Sequence, residues 1–167
     1  MQGTDGIRRE VMLTSLKDAG LTPQEIFLKL GFITKEFMEI YAYAHTKQLI
    51  LIGKIRAGDN VVVGWDPRDP RGNFTTAIVS GVCKAGANVL ILGVVPTPLV
   101  PMYMLYKNAL AGFMVTASHN PRDQNGIKIF NSFRGLKPLP ENDIALTRAV
   151  LEVDSSKLNK LSIIGIK

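Results

Sequence analysis

Three short, almost uninterrupted apolar runs constrain this chain most: residues 61–65 (Val-Val-Val-Gly-Trp), 88–94 (centred on Val89-Leu90-Ile91-Leu92) and 111–115. Each has the length and character of a strand buried on both faces, as in a parallel sheet covered by helices. The segments between them have helical spacing. Phe74, Ala77, Ile78, Gly81, Val82 and Ala85 mark one face of a helix that Gly86 stops, and 97–107 carries Leu99, Met102, Met104 and Leu105. Before the first run, Thr22-Pro23-Gln24-Glu25 has the form of a capping box with proline in the first turn. Ile26, Phe27, Leu30, Ile33, Phe37, Ile40, Tyr41 and Ala44 then read as one long helix bent near Gly31, and Gly58-Asp59 stops what precedes it. A short fourth strand is expected at 127–130 and a closing helix at 141–153. The fourth strand follows the third after about a dozen loop residues, too few for a helical crossover, so it should run antiparallel to its neighbour. The expected fold is α/β, a three-layer α/β/α domain whose four-stranded sheet is mixed but mostly parallel.

Composition narrows the function classes. The 167 residues suit one domain over 1–167. The net charge of +6 comes without any basic run or arginines interleaved with aromatics, which argues against nucleic acid and leaves small phosphorylated ligands open. A single cysteine, Cys83, excludes an internal disulfide framework and a cysteine-rich zinc site, and mid-helix it reads as core packing. The uncharged stretch 88–106 is broken by Pro96, Pro98 and Pro101, so it reads as strand, turn and helix rather than a membrane span. No signal-peptide pattern opens the sequence, and a cytoplasmic location is expected.

In open α/β sheets, ligands sit outside the carboxyl ends of the strands. The loops there are Trp65-Asp66-Pro67-Arg68-Asp69-Pro70-Arg71, Pro96-Thr97-Pro98 and Thr116-Ala117-Ser118-His119-Asn120-Pro121. The last is the richest, with a hydroxyl, an imidazole and an amide at a proline-stiffened turn. Asn125-Gly126 reads as a tight reversal, after which Lys128 could reach back toward Ser118. These residues are also consistent with turn chemistry alone. Ser118 and His119 are poor candidates for a hydrolase dyad, since neighbours in extended backbone point apart and no Gly-x-Ser-x-Gly is present. No dinucleotide or Walker fingerprint occurs. Asp66 and Arg68 are expected to pair with each other or to cap loops, Thr97 to cap a helix, and His45 to be a surface or half-buried residue.

Residues 116–121 (Thr-Ala-Ser-His-Asn-Pro) together with Asn125-Gly126-Ile127-Lys128 resemble the active-site loop of the α-D-phosphohexomutases, the phosphoglucomutase/phosphomannomutase superfamily. Gly3-Thr4-Asp5-Gly6-Ile7-Arg8, Val63-Gly64-Trp65-Asp66-Pro67-Arg68 and Pro96-Thr97-Pro98 extend the likeness from Gly3 to about Phe130. It implies that Ser118 carries a phosphoryl group, passes it to a hexose phosphate to form a hexose 1,6-bisphosphate, and takes back the other phosphate. It implies Mg²⁺ bound through the Ser118 phosphate, Lys128 and Arg8 near the transferring group, and His119 orienting groups around the serine. Phosphoryl transfer needs mainly alignment and charge cancellation, which these residue types supply.

The sequence departs from the family where Arg9 replaces the usual glycine after Arg8. Nothing resembles the Asp-rich loop of the family's second domain; Asp66/Asp69 and Glu141/Asp143 lack its pattern. The likeness is therefore to the first of four domains. The chain is expected to be incomplete, to work with the remaining domains of a longer enzyme, and to show negligible mutase turnover alone. A phosphoglucosamine mutase domain and a non-catalytic phosphosugar-binding or assembly domain are the alternatives.

Overall fold

The computed structural model describes residues 6–12, 20–131 and 140–162. Gly3, Thr4 and Asp5 of the likeness lie outside them. The elements in chain order are β1 (Ile7–Val11), α1 (Pro23–Glu25, continued by a π-helical turn Ile26–Leu30), β2 (Phe32–Ile33), α2 (Lys35–Leu51), β3 (Asn60–Trp65), α3 (Asn73–Ala85), β4 (Asn88–Val94), α4 (Leu99–Lys107), β5 (Ala111–Val115), β6 (Gln124–Asn131), α5 (Pro140–Glu152) and α6 (Ser155–Leu158).

The sheet has six strands rather than four, in the order β2-β1-β6-β5-β3-β4. β6 is antiparallel to both neighbours, β1 and β5, while the β2–β1, β5–β3 and β3–β4 pairs are parallel. The mixed, mostly parallel character is as expected. The two additional strands have no apolar run to announce them: β1 reads Ile-Arg-Arg-Glu-Val, and β2 has two residues.

The expected long helix is two helices. Gly31 takes φ 76°, a left-handed conformation that ends the first. After β2, the Thr34 hydroxyl accepts a hydrogen bond from the Phe37 amide at 3.1 Å and starts α2. Phe27 and Phe37 stack across the break, centroids 4.2 Å apart, because both helices rest on one core. That shared core keeps the apolar period running through the interruption.

Alternation along the strands divides the interior. Val61, Val63, Phe113 and Val115 pack into the larger core with α2, α3 and α5; Val62 and Met114 pack with Val100 and Met104 beneath α4. Helices thus cover both faces. α4 approaches over glycine: a Cβ on Gly112 would lie 2.6 Å from Met104 Sδ. Its first turn is wound by main-chain bonds, Leu99 N–H to the Pro96 carbonyl (2.9 Å) and Val100 N–H to the Thr97 carbonyl (3.2 Å), with Pro98 at the cap position. The Thr97 side chain is therefore not the expected cap. His45 is buried, contrary to expectation, and so is Cys83, as expected. Among the described residues no helix is long and apolar enough to cross a membrane.

Candidate active site

β3 and β5 lie side by side and end in register, Trp65 opposite Val115. The chain leaves both at the same edge, and Asp66 N–H donates to the Val115 carbonyl at 3.1 Å. The loop after β4 joins them there through Val95 N–H to the Trp65 carbonyl, 2.9 Å. The carboxyl rim anticipated from topology therefore gathers all three unusual loops.

Asp66 organises this rim. Its Oδ1 accepts from the Arg68 amide at 2.9 Å, an Asx-type turn over Pro67. Its Oδ2 accepts from Arg68 Nε at 3.1 Å and from the Thr116 hydroxyl at 2.5 Å. Thr116 Oγ1 in turn accepts from the Ser118 amide at 2.8 Å. From the other side, Arg68 Nη2 donates to the Ser118 carbonyl, and Nη1 donates to the carbonyls of Asn120 and Pro121, each at 2.8 Å. Ser118 is thus bonded at both its N–H and its C=O.

Ser118 has φ 55°, a left-handed conformation rare for a residue with a side chain. It is half-buried and His119 is exposed. The loop continues with Asn120 Nδ2 donating to Gln124 Oε1 at 2.7 Å. The reversal is made by residues 117–123, with Asn120 N–H to the Ala117 carbonyl and Gln124 N–H to the Pro121 carbonyl, both 3.1 Å. Asn125 and Gly126, expected as the reversal, instead belong to β6, where both are buried. The strand can begin that early because the turn is already complete at Gln124.

β6 brings in the two cations. Arg8 on β1 pairs with Gly126, and Lys128 is two residues along the same face, so Arg8 and Lys128 are diagonal neighbours. The Gly126 carbonyl accepts from the Thr116 amide at 3.0 Å. Arg8, Gly126 and Thr116 therefore lie in one row leading into the serine turn. Burial lowers the pKa of Lys128, and the charge of Arg8 lowers it further. Asp66 and Arg68 pair as expected. The role of the Thr116 hydroxyl was not foreseen, since its partner lies 50 residues away in sequence; the Asp-Pro-Arg turn was the available signal.

The donor set does not by itself fit a Mg²⁺ cage. Among the described residues no group of three or more His, Cys, Asp or Glu converges. The Asp66 carboxylate is occupied by Arg68 and Thr116, and Asp69 Oδ2 holds the amide and hydroxyl of Thr75. Ser118, through a phosphate, is the one ligand the resemblance assigns within the chain.

A mixed α/β/α sheet with a left-handed serine turn clamped at its carboxyl rim defines this as a loop-bearing α/β domain of the open-sheet class. More particularly, the chain belongs to the phosphoglucomutase/phosphomannomutase family: residues 1–157 match its alpha/beta/alpha domain I. It is 38% identical over 165 residues to a phosphoglucosamine mutase of Pseudomonas putida (strain W619), covering 96% of this chain and 32% of that protein. It is 40% identical over 130 residues to the phosphoglucosamine mutase of Francisella tularensis subsp. novicida (strain U112), covering 78% of this chain and 25% of the relative. A crystal structure from Thermus thermophilus, provisionally described as a phosphomannomutase, superposes with TM-score 0.72 at 26% identity, covering 100% of this chain and 32% of that one. The chain thus spans about a third or less of the length of these relatives.

Proposed function

We propose that this chain is the phosphoserine-bearing domain of a cytoplasmic hexose-phosphate mutase, with Ser118 as the phosphoryl carrier. The observation that supports the reading best is the left-handed backbone of Ser118, bonded at both ends to neighbouring rim loops, in a chain of this family. Strain of this kind at a clamped polar residue is characteristic of sites where geometry is held for chemistry.

In the proposed reaction the phosphorus–Oγ bond of phospho-Ser118 breaks as a bond forms between phosphorus and a sugar hydroxyl oxygen. The hydroxyl loses its proton to a base, and the serine oxygen regains one. When the resulting bisphosphate returns its other phosphoryl group to Ser118, phosphate has moved between C1 and C6. Lys128 suits the base role because its depressed pKa leaves more of the amine neutral at working pH. Arg8 is assigned charge stabilisation, since a guanidinium does not give up its proton; His119 orients groups around the serine. The ligands are hexose phosphates and a hexose 1,6-bisphosphate. The ion and sugar contacts that this chain lacks would come from the remaining length found in the relatives, so steady-state turnover by this chain alone should be negligible.

A second reading takes an amino sugar phosphate as the substrate. It is favoured by the two relatives at 38% and 40% identity, both phosphoglucosamine mutases. The test incubates the chain, together with the remaining domains it is proposed to work with, separately with glucose 1,6-bisphosphate and glucosamine 1,6-bisphosphate, then maps phosphate by intact mass and peptide analysis. One phosphoryl group at Ser118, absent in Ser118→Ala, is expected, and the faster donor indicates the sugar. No label at Ser118 from either donor would overturn the carrier role.

A further inference from the structure

We propose that Arg68 is a positioning residue that keeps Ser118 in its left-handed conformation, acting with Asp66 and Thr116 and without gripping phosphate itself. Its catalytic consequence rests on the reading of Ser118 as phosphoryl carrier. A serine has neither the freedom of glycine nor the local hydrogen-bonding amide that eases asparagine into this region. Something else must hold φ at 55°. Two clamps do so. Thr116 Oγ1 takes the Ser118 amide at 2.8 Å, and Arg68 Nη2 takes its carbonyl. The Asp66 carboxylate anchors both, through the Thr116 hydroxyl at 2.5 Å and through Arg68 Nε at 3.1 Å.

A cation beside a phosphoserine invites the opposite assignment, that its charge binds the phosphate. The donors argue against it. A guanidinium has five N–H groups in a fixed fork. Here four of the five are engaged: the Nε proton goes to Asp66, the Nη1 pair serves the carbonyls of Asn120 and Pro121, and one Nη2 proton serves Ser118. The side chain is mostly buried along with that of Asp66. To grip phosphate with two parallel donors, Arg68 would have to release part of the turn that presents it.

Lysine at 68 separates the two assignments, because it keeps the charge and loses the fork. In Arg68→Lys, the Ser118 amide should exchange with solvent at least tenfold faster, and its HN–Hα coupling should move away from the left-handed value. Phosphoryl uptake at Ser118 from glucose 1,6-bisphosphate should slow by about a hundredfold, the effect of a small misplacement. The urea midpoint should hold, and methylguanidinium should restore part of the uptake in Arg68→Ala. Wild-type exchange, coupling and uptake in Arg68→Lys would overturn the proposal. If wild type assayed together with the remaining domains takes no phosphoryl group, the carrier reading fails while exchange and coupling still decide the positioning role. If Arg68→Lys does not fold, Thr116→Val releases the clamp from the amide side; unchanged Ser118 exchange there would overturn it equally.

Discussion

Gly126 lies directly opposite Arg8 in the β1–β6 ladder, so close that a Cβ on it would stand 3.0 Å from Arg8 Cγ and 2.1 Å from the Ile7 carbonyl oxygen. The second obstacle is backbone, which no side-chain rotation relieves. β1 can therefore reach β6 only over a glycine, and that approach sets Arg8 beside Lys128. Gly126→Ala should push the strands apart and destabilise the fold by about 1–3 kcal/mol, as overpacking does. Urea unfolding gives the magnitude, and faster exchange of the β1–β6 ladder amides locates it. An unmoved midpoint with intact ladder protection would contradict this account.

Lys128 should cost stability in exchange for its chemistry. Burial, and then the charge of Arg8, lowers its pKa from the ordinary 10.5. Between the folded value and 10.5 the unfolded chain binds more protons, so stability rises with pH through that window. Below the folded value both states are charged, and the full penalty of enclosing the cation applies. Lys128→Met should therefore raise the urea midpoint at pH 7, with a gain that shrinks toward pH 10.5, while Ser118 labelling is lost. A lower midpoint at pH 7 would show that the ammonium is net stabilising.

β3 and β5 are legible because strands buried on both faces must be apolar along their length. β4 has the same kind of apolar run but is an edge strand, not the strand buried on both faces that the run implies, with Val89 buried and Ile91 and Val94 exposed. β1 is not legible, because Arg8, Arg9 and Glu10 are tolerated toward the margin of the sheet, where only short β2 lies beyond. Ile33 reads as helical because its spacing from Phe37 and Ile40 fits the helical period, whereas the conformation of Gly31 that breaks the helix is not a matter of period. At the site, the polar turn from Ser118 to Pro121 could be read locally. Asn125-Gly126 misled for a physical reason: the pair is common in tight turns, but here the glycine answers to the approach of β1. The Asp66–Thr116 bond closes only when β3 and β5 pair, so no local pattern encodes it.

Asp69 should matter to the rim through helix α3. Gly72 occupies the cap position and has no side chain to offer. Asp69 substitutes for it, Oδ2 accepting from the Thr75 amide at 2.7 Å and hydroxyl at 2.8 Å, in a site only 4% exposed. Asp69→Ala leaves that amide unpaired and should cost about 1–2 kcal/mol in thermal or urea unfolding, the usual effect of removing a helix cap. Because residues 66–72 connect this cap to Arg68, Ser118 amide exchange should rise in the same variant. Loss of stability without any change at Ser118 would confine Asp69 to the helix.

His45 predicts an acid limit to stability that is independent of the site. Its Nε2 lies 2.7 Å from Asn131 Oδ1, and its ring meets Phe113 edge-on at 5.5 Å between centroids. With the amide oxygen as acceptor, Nε2 carries the hydrogen and Nδ1 is the bare nitrogen, buried without a partner among the described residues. Burial lowers the pKa from 6.5 to about 4, the hydrogen bond to Asn131 opposing it. Above pH 6.5 the imidazole is neutral folded or unfolded. As pH falls from 6.5 to 4 the unfolded chain takes up a proton that the folded chain refuses, so stability declines across that window by about 3 kcal/mol in all. Below pH 4 the group is charged in both states and adds no further loss. His45→Gln retains a donor for Asn131 but does not titrate. Urea midpoints at pH 7, 5.5 and 4.5 should fall for the wild type and flatten for the variant. Parallel slopes in the two proteins would assign the acid sensitivity to another group.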